Sequence, residues 1–278
     1  MGLFDAFRYD GKRVLVVGAA SGMGAATAAV ALDAGAEVIG MDFADIELEG
    51  AKKVKVNLAD QASIDGALGE ISGPFDAVFS CAGVADGTPG IEKINFIGHR
   101  YLINRLLERN WLPRGSSIGF ISSAAGLGWE ANLDLVKEYL DVEDFDAASQ
   151  WAIDHGKADY MWSKQAICAY VAREAMAFLK QGIRINAICP GPTDTPLAQA
   201  NKDMWLGFGA DYREAVGVEA ATPLEQANTL LFLCSDAASA IAGQTLITDA
   251  GYFASGITGS FPDATPAVHF LLGRYGAL

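Results

Sequence analysis

Short apolar runs alternate along the chain with longer segments of helical periodicity. The first run, residues 13–17, has no alternation of apolar and polar positions and predicts a strand buried on both faces. Six further strands are predicted at residues 37–41, 53–57, 77–80, 115–121, 183–188 and 244–247. Helical patterns separate them, at residues 25–34, 61–71, 92–110 and 223–234 and in the long segment that begins at Tyr160. This alternation predicts a parallel sheet with a ligand crevice at the carboxyl ends of its strands.

The first strand leads directly into a glycine-rich turn and then into a helix. The turn, Gly18-Ala19-Ala20-Ser21-Gly22-Met23-Gly24, precedes an alanine-rich segment that Gly35 is placed to end. Glycines at these positions let the backbone approach a pyrophosphate, whose charge is met by free N–H groups and by the positive end of the helix. The position between a strand and a helix favours dinucleotide binding over a turn that serves packing alone.

An acidic residue, Asp42, ends the second predicted strand. A carboxylate here accepts hydrogen bonds from the ribose hydroxyls of an adenosine and repels a 2′-phosphate. Residues 43–51 contain three further acidic residues and no Lys or Arg. This pattern predicts NAD rather than NADP as the cofactor, and the alternative is an Asp that only forms a turn.

The helix that begins at Tyr160 carries a candidate acid/base pair. Tyr160 and Lys164 are separated by one helical turn, so the phenol and the ammonium project from the same face. A fixed positive charge near a phenol favours the phenolate and lowers the pKa of the tyrosine. The pair therefore predicts proton transfer, although the same spacing also occurs by chance on amphipathic helices.

Composition narrows the class of protein. The chain has 278 residues, of which 51% are hydrophobic and 19% charged, and this predicts a globular protein with a sizeable core. The net charge of -14 disfavours nucleic acids and membranes as partners. We find no signal peptide or spanning segment, and Cys81, Cys168, Cys189 and Cys234 lack the spacing of metal ligands. We expect a cytoplasmic protein with reduced thiols and no metal site.

Six motifs, in this order, resemble those of the short-chain dehydrogenase/reductase family, from about residue 11 to about residue 255. They are the glycine turn, Ala82-Gly83, Asn95, Ser123, Tyr160-x-x-x-Lys164 and Pro190-Gly191-x-x-x-Thr195. The resemblance implies a single doubly wound α/β domain over residues 1–278, of the Rossmann type, with helices on both faces of a seven-stranded parallel sheet. It also implies an NAD-dependent enzyme that interconverts a secondary alcohol and a ketone.

The same resemblance implies the catalytic roles. Tyr160 exchanges a proton with the substrate oxygen, while Lys164 lowers the pKa of Tyr160 and binds the nicotinamide ribose. Asn95 holds a helix turn and a water molecule that relays protons from Lys164. Ser123 hydrogen-bonds the substrate oxygen, and is preferred to Ser122 because the second Ser of Ile-Ser-Ser is the family's catalytic one.

The cofactor contacts implied by the resemblance lie at the carboxyl ends of several predicted strands. Thr195 and the backbone at Thr193 are expected to orient the nicotinamide carboxamide. The full expected set is Gly18, Ser21, Gly22, Met23, Gly24, Asp42, Asn57, Leu58, Ala82, Gly83, Tyr160, Lys164, Pro190, Gly191, Thr193 and Thr195.

The sequence departs from the family pattern at several positions. Ser80-Cys81 stands where the family has an Asn pair, Asn57 replaces an Asp, and Ala250 interrupts Asp-Gly-Gly. Asn57 keeps an amide oxygen that could accept a hydrogen bond from the adenine amino group. None of these changes affects the reacting atoms.

The largest departure is an insertion, residues 124–159, between Ser123 and Tyr160. Nine acidic residues against two lysines give it half of the chain's net charge, and its apolar positions predict two short amphipathic helices that end at Gly156. It resembles the insertion of the bacterial 3α-hydroxysteroid dehydrogenase/carbonyl reductase branch. Two roles stay open: a wall of the substrate pocket, with Leu127 and Trp129, or an acidic cap that alters how subunits pair.

Two further segments complete the prediction. Residues 196–222, with Trp205, Leu206 and Phe208, are expected to form a mobile substrate lid. Residues 256–278 form a C-terminal tail whose aromatic residues, Phe261, Phe270 and Tyr275, could dock on a neighbouring subunit of a homodimer or homotetramer.

The expected substrate is a small-molecule alcohol or ketone with a hydrophobic cyclic or steroid-like frame. One alternative is a dinucleotide-binding sensor or scaffold without turnover, and another is a dehydrogenase with tightly held NAD. An enoyl reductase is a third, but those relatives place their Tyr and Lys further apart than Tyr160 and Lys164.

Overall fold

A parallel sheet of seven strands forms the centre of the structure, a computed structural model that describes residues 2 and 4–274. The strands are β1 (Arg13–Val17), β2 (Glu37–Asp42), β3 (Lys52–Lys55), β4 (Ala77–Ser80), β5 (Ser117–Ile121), β6 (Arg184–Pro190) and β7 (Thr245–Thr248). They pair in parallel in the order β3-β2-β1-β4-β5-β6-β7. The chain order reverses between β1 and β4, which opens a crevice at the carboxyl ends of these strands. The predicted fold class is confirmed.

Helices cover both faces of the sheet because its central strands are buried on both sides. The helices are α1 (Gly22–Asp33), α2 (Gln61–Gly69), α3 (Gly98–Glu108), α4 (Leu133–Asp141), α5 (Phe145–Asp154), α6 (Tyr160–Gln181), α7 (Pro196–Ala200), α8 (Lys202–Trp205), α9 (Ala210–Val216), α10 (Pro223–Cys234), α11 (Tyr252–Thr258) and α12 (Thr265–Leu271). Along β1, Leu15 and Val17 face a first core formed with α2, α3 and α6, whereas Val14 and Val16 face a second core formed with α1 and α10. Among the described residues, no helix has the length and apolar character needed to cross a bilayer.

The segment predicted as one regular helix at residues 92–110 contains a wider turn. Lys93–Ile97 is π-helical and leads into α3 without a break. Gly98 starts α3 where a β-carbon would collide with the carbonyl oxygen of Leu58. Asn95 lies inside the π-helical turn, a feature that occurs frequently at functional sites.

The insertion forms the two predicted helices, preceded by a 3-10 helix, Ala124–Asn132. Asp144 starts α5 by accepting hydrogen bonds from the backbone N–H groups of Asp146 and Ala147. The apolar sides of α4 and α5 extend the first core, where Val136 and Ala148 are fully buried. The acidic residues therefore lie on the outer sides of helices that are packed onto α6.

The segments predicted as lid and tail form short helices within the chain. The predicted mobile stretch at residues 196–222 contains three short helices, α7, α8 and α9. The described part of the C-terminal tail packs on its own chain, where Phe261 contacts a third core of Ala124, Tyr212, Tyr252, Phe253, Ala264 and Val268. Docking of the tail on a neighbouring subunit stays a prediction, and Tyr275 lies outside the described residues.

Ala250 has a backbone conformation that favours glycine, with φ +56°, and stands where the family has Gly. The left-handed region costs a residue with a β-carbon about 1–2 kcal/mol, a cost that glycine avoids. Glycine also has more freedom in the unfolded chain, which offsets about 0.4–1 kcal/mol of the stability gained. We expect Ala250→Gly to raise the free energy of unfolding by about 0.5 kcal/mol, measured by urea denaturation. Ala254→Gly, at an exposed position inside α11, should lower it by about 0.5–1 kcal/mol. Equal losses in both variants would contradict this account of Ala250.

Candidate active site

The amino-terminal turn of α6 is held by two carboxylates. Asp159 accepts a hydrogen bond from the backbone N–H of Trp162 at 2.8 Å, and Asp86, in the loop after β4, accepts one from the N–H of Tyr160 at 2.7 Å. Both carboxylates lie at the positive end of the helix dipole, where they are stabilising. The first residue of α6 is therefore fixed relative to the carboxyl end of β4.

Tyr160 and Lys164 face a common interior. Lys164 is buried, and its Nζ donates a hydrogen bond to the carbonyl oxygen of Ile121, at the end of β5, at 2.9 Å. The ammonium lies over the Tyr160 ring, 5.5 Å from its centroid. A β-carbon on Gly83 would lie 3.4 Å from this ammonium and 3.5 Å from Oδ1 of Asn95. Three motifs from separate parts of the sequence therefore meet at the end of β5.

Burial dominates the ionisation of this pair. It raises the pKa of Tyr160 to about 12, an effect that a hydrogen bond with Ser123 opposes and the charge of Asp86 reinforces. Burial also lowers the pKa of Lys164 to about 8, although nearby Cys168 opposes this. These side chains alone do not bring the phenol towards neutral pH, in contrast to the expectation from their spacing.

The two adjacent serines have different environments. Ser122 is buried, and its hydroxyl donates to the carbonyl oxygen of Lys164 at 2.9 Å. Both serines line the cavity that contains Tyr160. Ser123 Oγ accepts a hydrogen bond from the Ala125 N–H at 3.2 Å, so its own proton is left to donate to a substrate oxygen beside the phenol.

Asn95 connects the loop after β4 to α6. Its Oδ1 accepts from the backbone N–H of Val84 at 2.8 Å, and its Nδ2 donates to the Val84 carbonyl and to the Ser163 hydroxyl, each at 3.1 Å. His99, for which the sequence suggested no role, supports the same loop through a hydrogen bond from Nε2 to the Ala82 carbonyl oxygen. Burial lowers the pKa of His99 to about 4, which keeps the ring neutral.

The expected cofactor residues line two adjoining cavities. A crevice of about 450 Å³ is lined by Gly18, Ser21, Gly22, Met23, Gly24, Asp42, Asn57, Leu58, Ala82, Gly83 and Thr195. A second cavity of about 320 Å³, here called the substrate cavity, is lined by Ser123, Tyr160, Lys164, Pro190, Gly191 and Thr193. Met23, Cys81, Gly83 and Thr195 line both, so the cavities meet at the carboxyl ends of β4 and β6.

The glycine turn has the geometry that a pyrophosphate needs. A β-carbon at Gly18 would collide with the backbone of Ala82, and one at Gly24 would collide with the carbonyl oxygen of Gly18. Gly22 has φ +54°, in the left-handed region. The side chain of Ser21, at the start of α1, accepts no hydrogen bond from the first N–H groups of this helix, which leaves them for a bound anion. These residues fit the diphosphate of a dinucleotide.

Asp42 joins the glycine turn to the end of β2. Its Oδ2 accepts a hydrogen bond from the Ala20 N–H at 2.9 Å, and its Oδ1 accepts one from the Ala44 N–H at 2.8 Å. The sequence did not indicate a role for Lys55. This residue lies opposite Asp42 in the register of β2 and β3, and its ammonium forms an ion pair of 2.6 Å with Asp45. The basic residue nearest to Asp42 in the strand register is therefore already paired with another carboxylate.

Sequence reasoning missed several residues that line the cavities. Phe43, directly after Asp42, lines the crevice with 77% of its surface exposed. Met161, Met204 and Leu271 line the substrate cavity. An exposed aromatic residue after the strand-end Asp was a usable signal for Phe43, whereas nothing local marked Leu271.

Other expected contacts take different forms. Asn57 Oδ1 accepts from the Ala59 N–H at 3.0 Å and so closes a turn, and Thr195 Oγ1 caps α7 by accepting from the Ala198 N–H at 3.1 Å. Leu127 and Trp129 do not line either cavity, because they pack into the third and first cores respectively. The insertion contributes Ala124 instead, with its neighbour Ala125.

Fold and site together define an α/β enzyme that binds a dinucleotide beside a substrate cavity. A family model described as Enoyl-(Acyl carrier protein) reductase matches residues 146–253. Coniferyl-alcohol dehydrogenase from a Pseudomonas strain is 30% identical over 250 residues, covering 86% of this chain and 96% of that protein. The 3-alpha-hydroxysteroid dehydrogenase/carbonyl reductase of Comamonas testosteroni is 30% identical over 256 residues, covering 86% of this chain and 95% of that protein.

A solved structure resembles the chain over nearly its whole length. The 3-alpha-hydroxysteroid dehydrogenase from Pseudomonas sp. B-0831, complexed with NADH, has a TM-score of 0.71 and 26% identity, covering 90% of this chain and 99% of that one. The chain therefore belongs to the short-chain dehydrogenase/reductase family. It is an oxidoreductase that acts on CH–OH groups.

The depressed pKa of Lys164 makes a prediction about stability. Below pH 8 the folded protein holds a buried charge that the unfolded chain solvates, and between pH 8 and 10.5 the unfolded chain binds more protons, so stability rises with pH. We expect Lys164→Met to raise the free energy of unfolding at pH 7 by about 2 kcal/mol. The difference from wild type should shrink towards pH 10. Urea denaturation at the two pH values measures both effects.

Lys180→Met, at an exposed position in the last turn of α6, is the matched control. It should change stability by no more than about 0.5 kcal/mol at either pH. A Lys164→Met variant that is less stable than wild type at pH 7 would show that the buried charge is fully compensated by its surroundings.

Proposed function

We propose that the protein is an NAD(H)-dependent dehydrogenase that interconverts a secondary alcohol and a ketone on a hydrophobic cyclic or steroid-like substrate. One observation carries the proposal: Ser123, Tyr160 and Lys164 line one cavity that adjoins the dinucleotide crevice. The remaining lining of that cavity includes Met161, Trp205 and other apolar residues, which favours an apolar substrate frame.

The chain supplies binding, orientation and proton transfer. NAD would be held by the glycine turn, Asp42 and the segment from Pro190 to Thr195, and it supplies the exchange of a hydride with the substrate carbon. Ser123 and Tyr160 hold the substrate oxygen between their hydroxyls. During oxidation Tyr160 accepts the hydroxyl proton, and during reduction it donates a proton to the ketone oxygen. Lys164 stabilises the phenolate, and acid/base help of this kind contributes about 10²–10⁴-fold to the rate.

The charges at the adenosine end support NAD over NADP. Asp42 is oriented by two backbone N–H groups, so its negative charge is held at the position where a 2′-phosphate would have to lie. Lys55, the nearest basic residue across the sheet, is paired with Asp45. Phe43 presents an exposed ring beside Asp42 that offers a stacking surface for the adenine.

We further propose that the enzyme works in the cytoplasm as a homodimer or homotetramer. The four cysteines are free, which suits a reducing compartment. Strand β7 lies at the edge of the sheet and exposes Leu246 and Ile247, an apolar surface that a second subunit would cover. Light scattering behind a sizing column measures the assembly.

Turnover should depend on Tyr160 and, of the two adjacent serines, on Ser123 rather than Ser122. With NAD and a panel of cyclic alcohols and hydroxysteroids, the reduced-nicotinamide absorbance should appear, and Tyr160→Phe and Ser123→Ala should lose at least about 10²-fold in kcat/KM. Ser122→Ala should keep most of the turnover and lose about 1 kcal/mol of stability, because its hydroxyl bonds the backbone of Lys164 and the thiol of Cys168 rather than the phenol. Full activity of Tyr160→Phe would refute the proton-transfer role.

Two controls separate the alternatives. Nicotinamide released by denaturing the purified protein would indicate a tightly held cofactor rather than a sensor without turnover. Oxidation of NADH with an enoyl thioester, and none with ketones, would favour the activity after which the matching family model is described.

Cofactor preference should follow the charge of Asp42. Asp42→Asn keeps an oxygen acceptor for the Ala20 N–H but removes the charge, so the ratio of NAD to NADP affinity should fall at least about tenfold. Phe43→Ala should weaken both cofactors by a similar factor, about fivefold or more, because both carry the same adenine. Calorimetric titration measures the four affinities, with the exposed Glu49→Gln as the control. A wild-type preference for NADP would overturn the assignment of Asp42.

A further inference from the structure

The C-terminal helix α12 is seated on its own chain at two glycines. A β-carbon on Gly256, in α11, would lie 2.6 Å from Cγ2 of Val268, and one on Gly128, in the insertion, would lie 2.7 Å from the carbonyl oxygen of Leu271. Thr265 Oγ1 donates a hydrogen bond to the carbonyl of Gly256 at 2.9 Å. Val268 is fully buried. The glycines let α12 approach closely at its middle and at its last residue, so the position of its last turn is defined.

This seat places the end of α12 in the substrate cavity. Leu271 lines that cavity together with Ser123 and Tyr160. Phe208 of the lid segment also lines it. The C-terminal helix of the same chain therefore contributes part of the wall around the reacting groups.

The lid and the tail share the third core. The ring of Tyr252, at the start of α11, lies 5.0 Å from that of Phe208 and 5.5 Å from that of Tyr212, between ring centroids. Tyr212 also contacts Phe261 at 5.3 Å. Because these rings interlock edge to face, a displacement of α12 would disturb the packing that holds Phe208.

The room beside Tyr160 is limited. The substrate cavity measures about 320 Å³, near the lower end of the roughly 300–1,000 Å³ typical of ligand pockets. Pro190, Gly191 and Thr193 belong to its lining, so the nicotinamide end of the cofactor takes part of the volume. Trp205 presents its indole to the Tyr160 ring, with the centroids 4.9 Å apart. The reacting oxygen therefore lies beside a flat apolar surface in a short cavity.

We infer that α12, through Leu271, limits the length of the substrate, and that the enzyme takes single-ring alcohols and ketones, aromatic or alicyclic, in preference to fused-ring ones. The inference rests on the proposed function and narrows it. Trp205 supplies the surface for one ring, and Leu271 and Phe208 supply the wall that a second fused ring would meet.

The test compares wild type and Leu271→Ala on cyclohexanol, a two-ring fused alcohol such as 1-tetralol, and a four-ring hydroxysteroid. For wild type we expect kcat/KM to fall with each added ring. Leu271→Ala opens the wall and should raise the ratio of kcat/KM for tetralol over cyclohexanol about tenfold. Ile257→Ala, at an exposed position on α11, should leave the ratio unchanged.

A second variant and a second measurement keep the outcomes separate. Leu271→Phe fills the cavity and should lower the ratio below that of wild type, even if the alanine variant folds poorly. Calorimetric binding of the same three alcohols in the presence of NADH reports size selectivity without turnover. Selective binding without turnover would reject the proposed function and keep the size limit. Turnover with equal or better use of the hydroxysteroid, or an unchanged ratio in both Leu271 variants, would overturn the inference.

Discussion

The buried ammonium of Lys164 is the constraint on which the site depends. A charge removed from water needs partners, and here the carbonyl oxygen of Ile121 accepts its hydrogen bond while Gly83 leaves room beside it. The backbone carbonyl of Lys164 accepts a hydrogen bond from the buried hydroxyl of Ser122. Lys164 therefore links the end of β5 to the first turns of α6, and the end of β4 makes room for it. Burial disfavours its ammonium, as the lowered pKa of Lys164 indicates, at the place where this charge faces a phenol ring.

The two cavities follow from the topology of the sheet. The order of strands reverses between β1 and β4, so the loops after these strands diverge and leave a crevice between them. The glycine turn after β1 and Ala82-Gly83 after β4 are in contact across it, as the close approach of Gly18 to Ala82 requires. The substrate cavity begins where β5 and β6 end and is closed by segments outside the sheet. The dinucleotide crevice is thus formed by loops of the sheet itself, whereas the substrate cavity is completed by additions to the sheet, namely the insertion, the lid and the C-terminal helix.

The additions to the sheet pack against one another. The insertion, the lid and the C-terminal helix meet in the third core, which includes Ala124, Tyr212 and Val268. The same insertion also extends the first core through α4 and α5, against the helix that carries Tyr160. The insertion therefore builds no wall of the substrate cavity from Leu127 and Trp129, and an effect of its exposed acidic faces on subunit pairing stays a prediction. Its contribution is to support α6 on one side and to seat α12 on the other.

The sequence by itself determined the parts that local chemistry encodes. Continuous apolar runs predicted the strands, the glycine spacing predicted the turn, and Pro223 predicted the start of α10, because each depends on neighbouring residues. Motif order was enough to nominate Ser123, Tyr160 and Lys164 as candidates. Only the tertiary structure decided that the Ser122 hydroxyl bonds the backbone of Lys164, that burial raises the pKa of Tyr160, and that Leu271 lines the cavity of the reacting groups. These properties arise from desolvation and from contacts between distant segments, and no local pattern of residues reports either one.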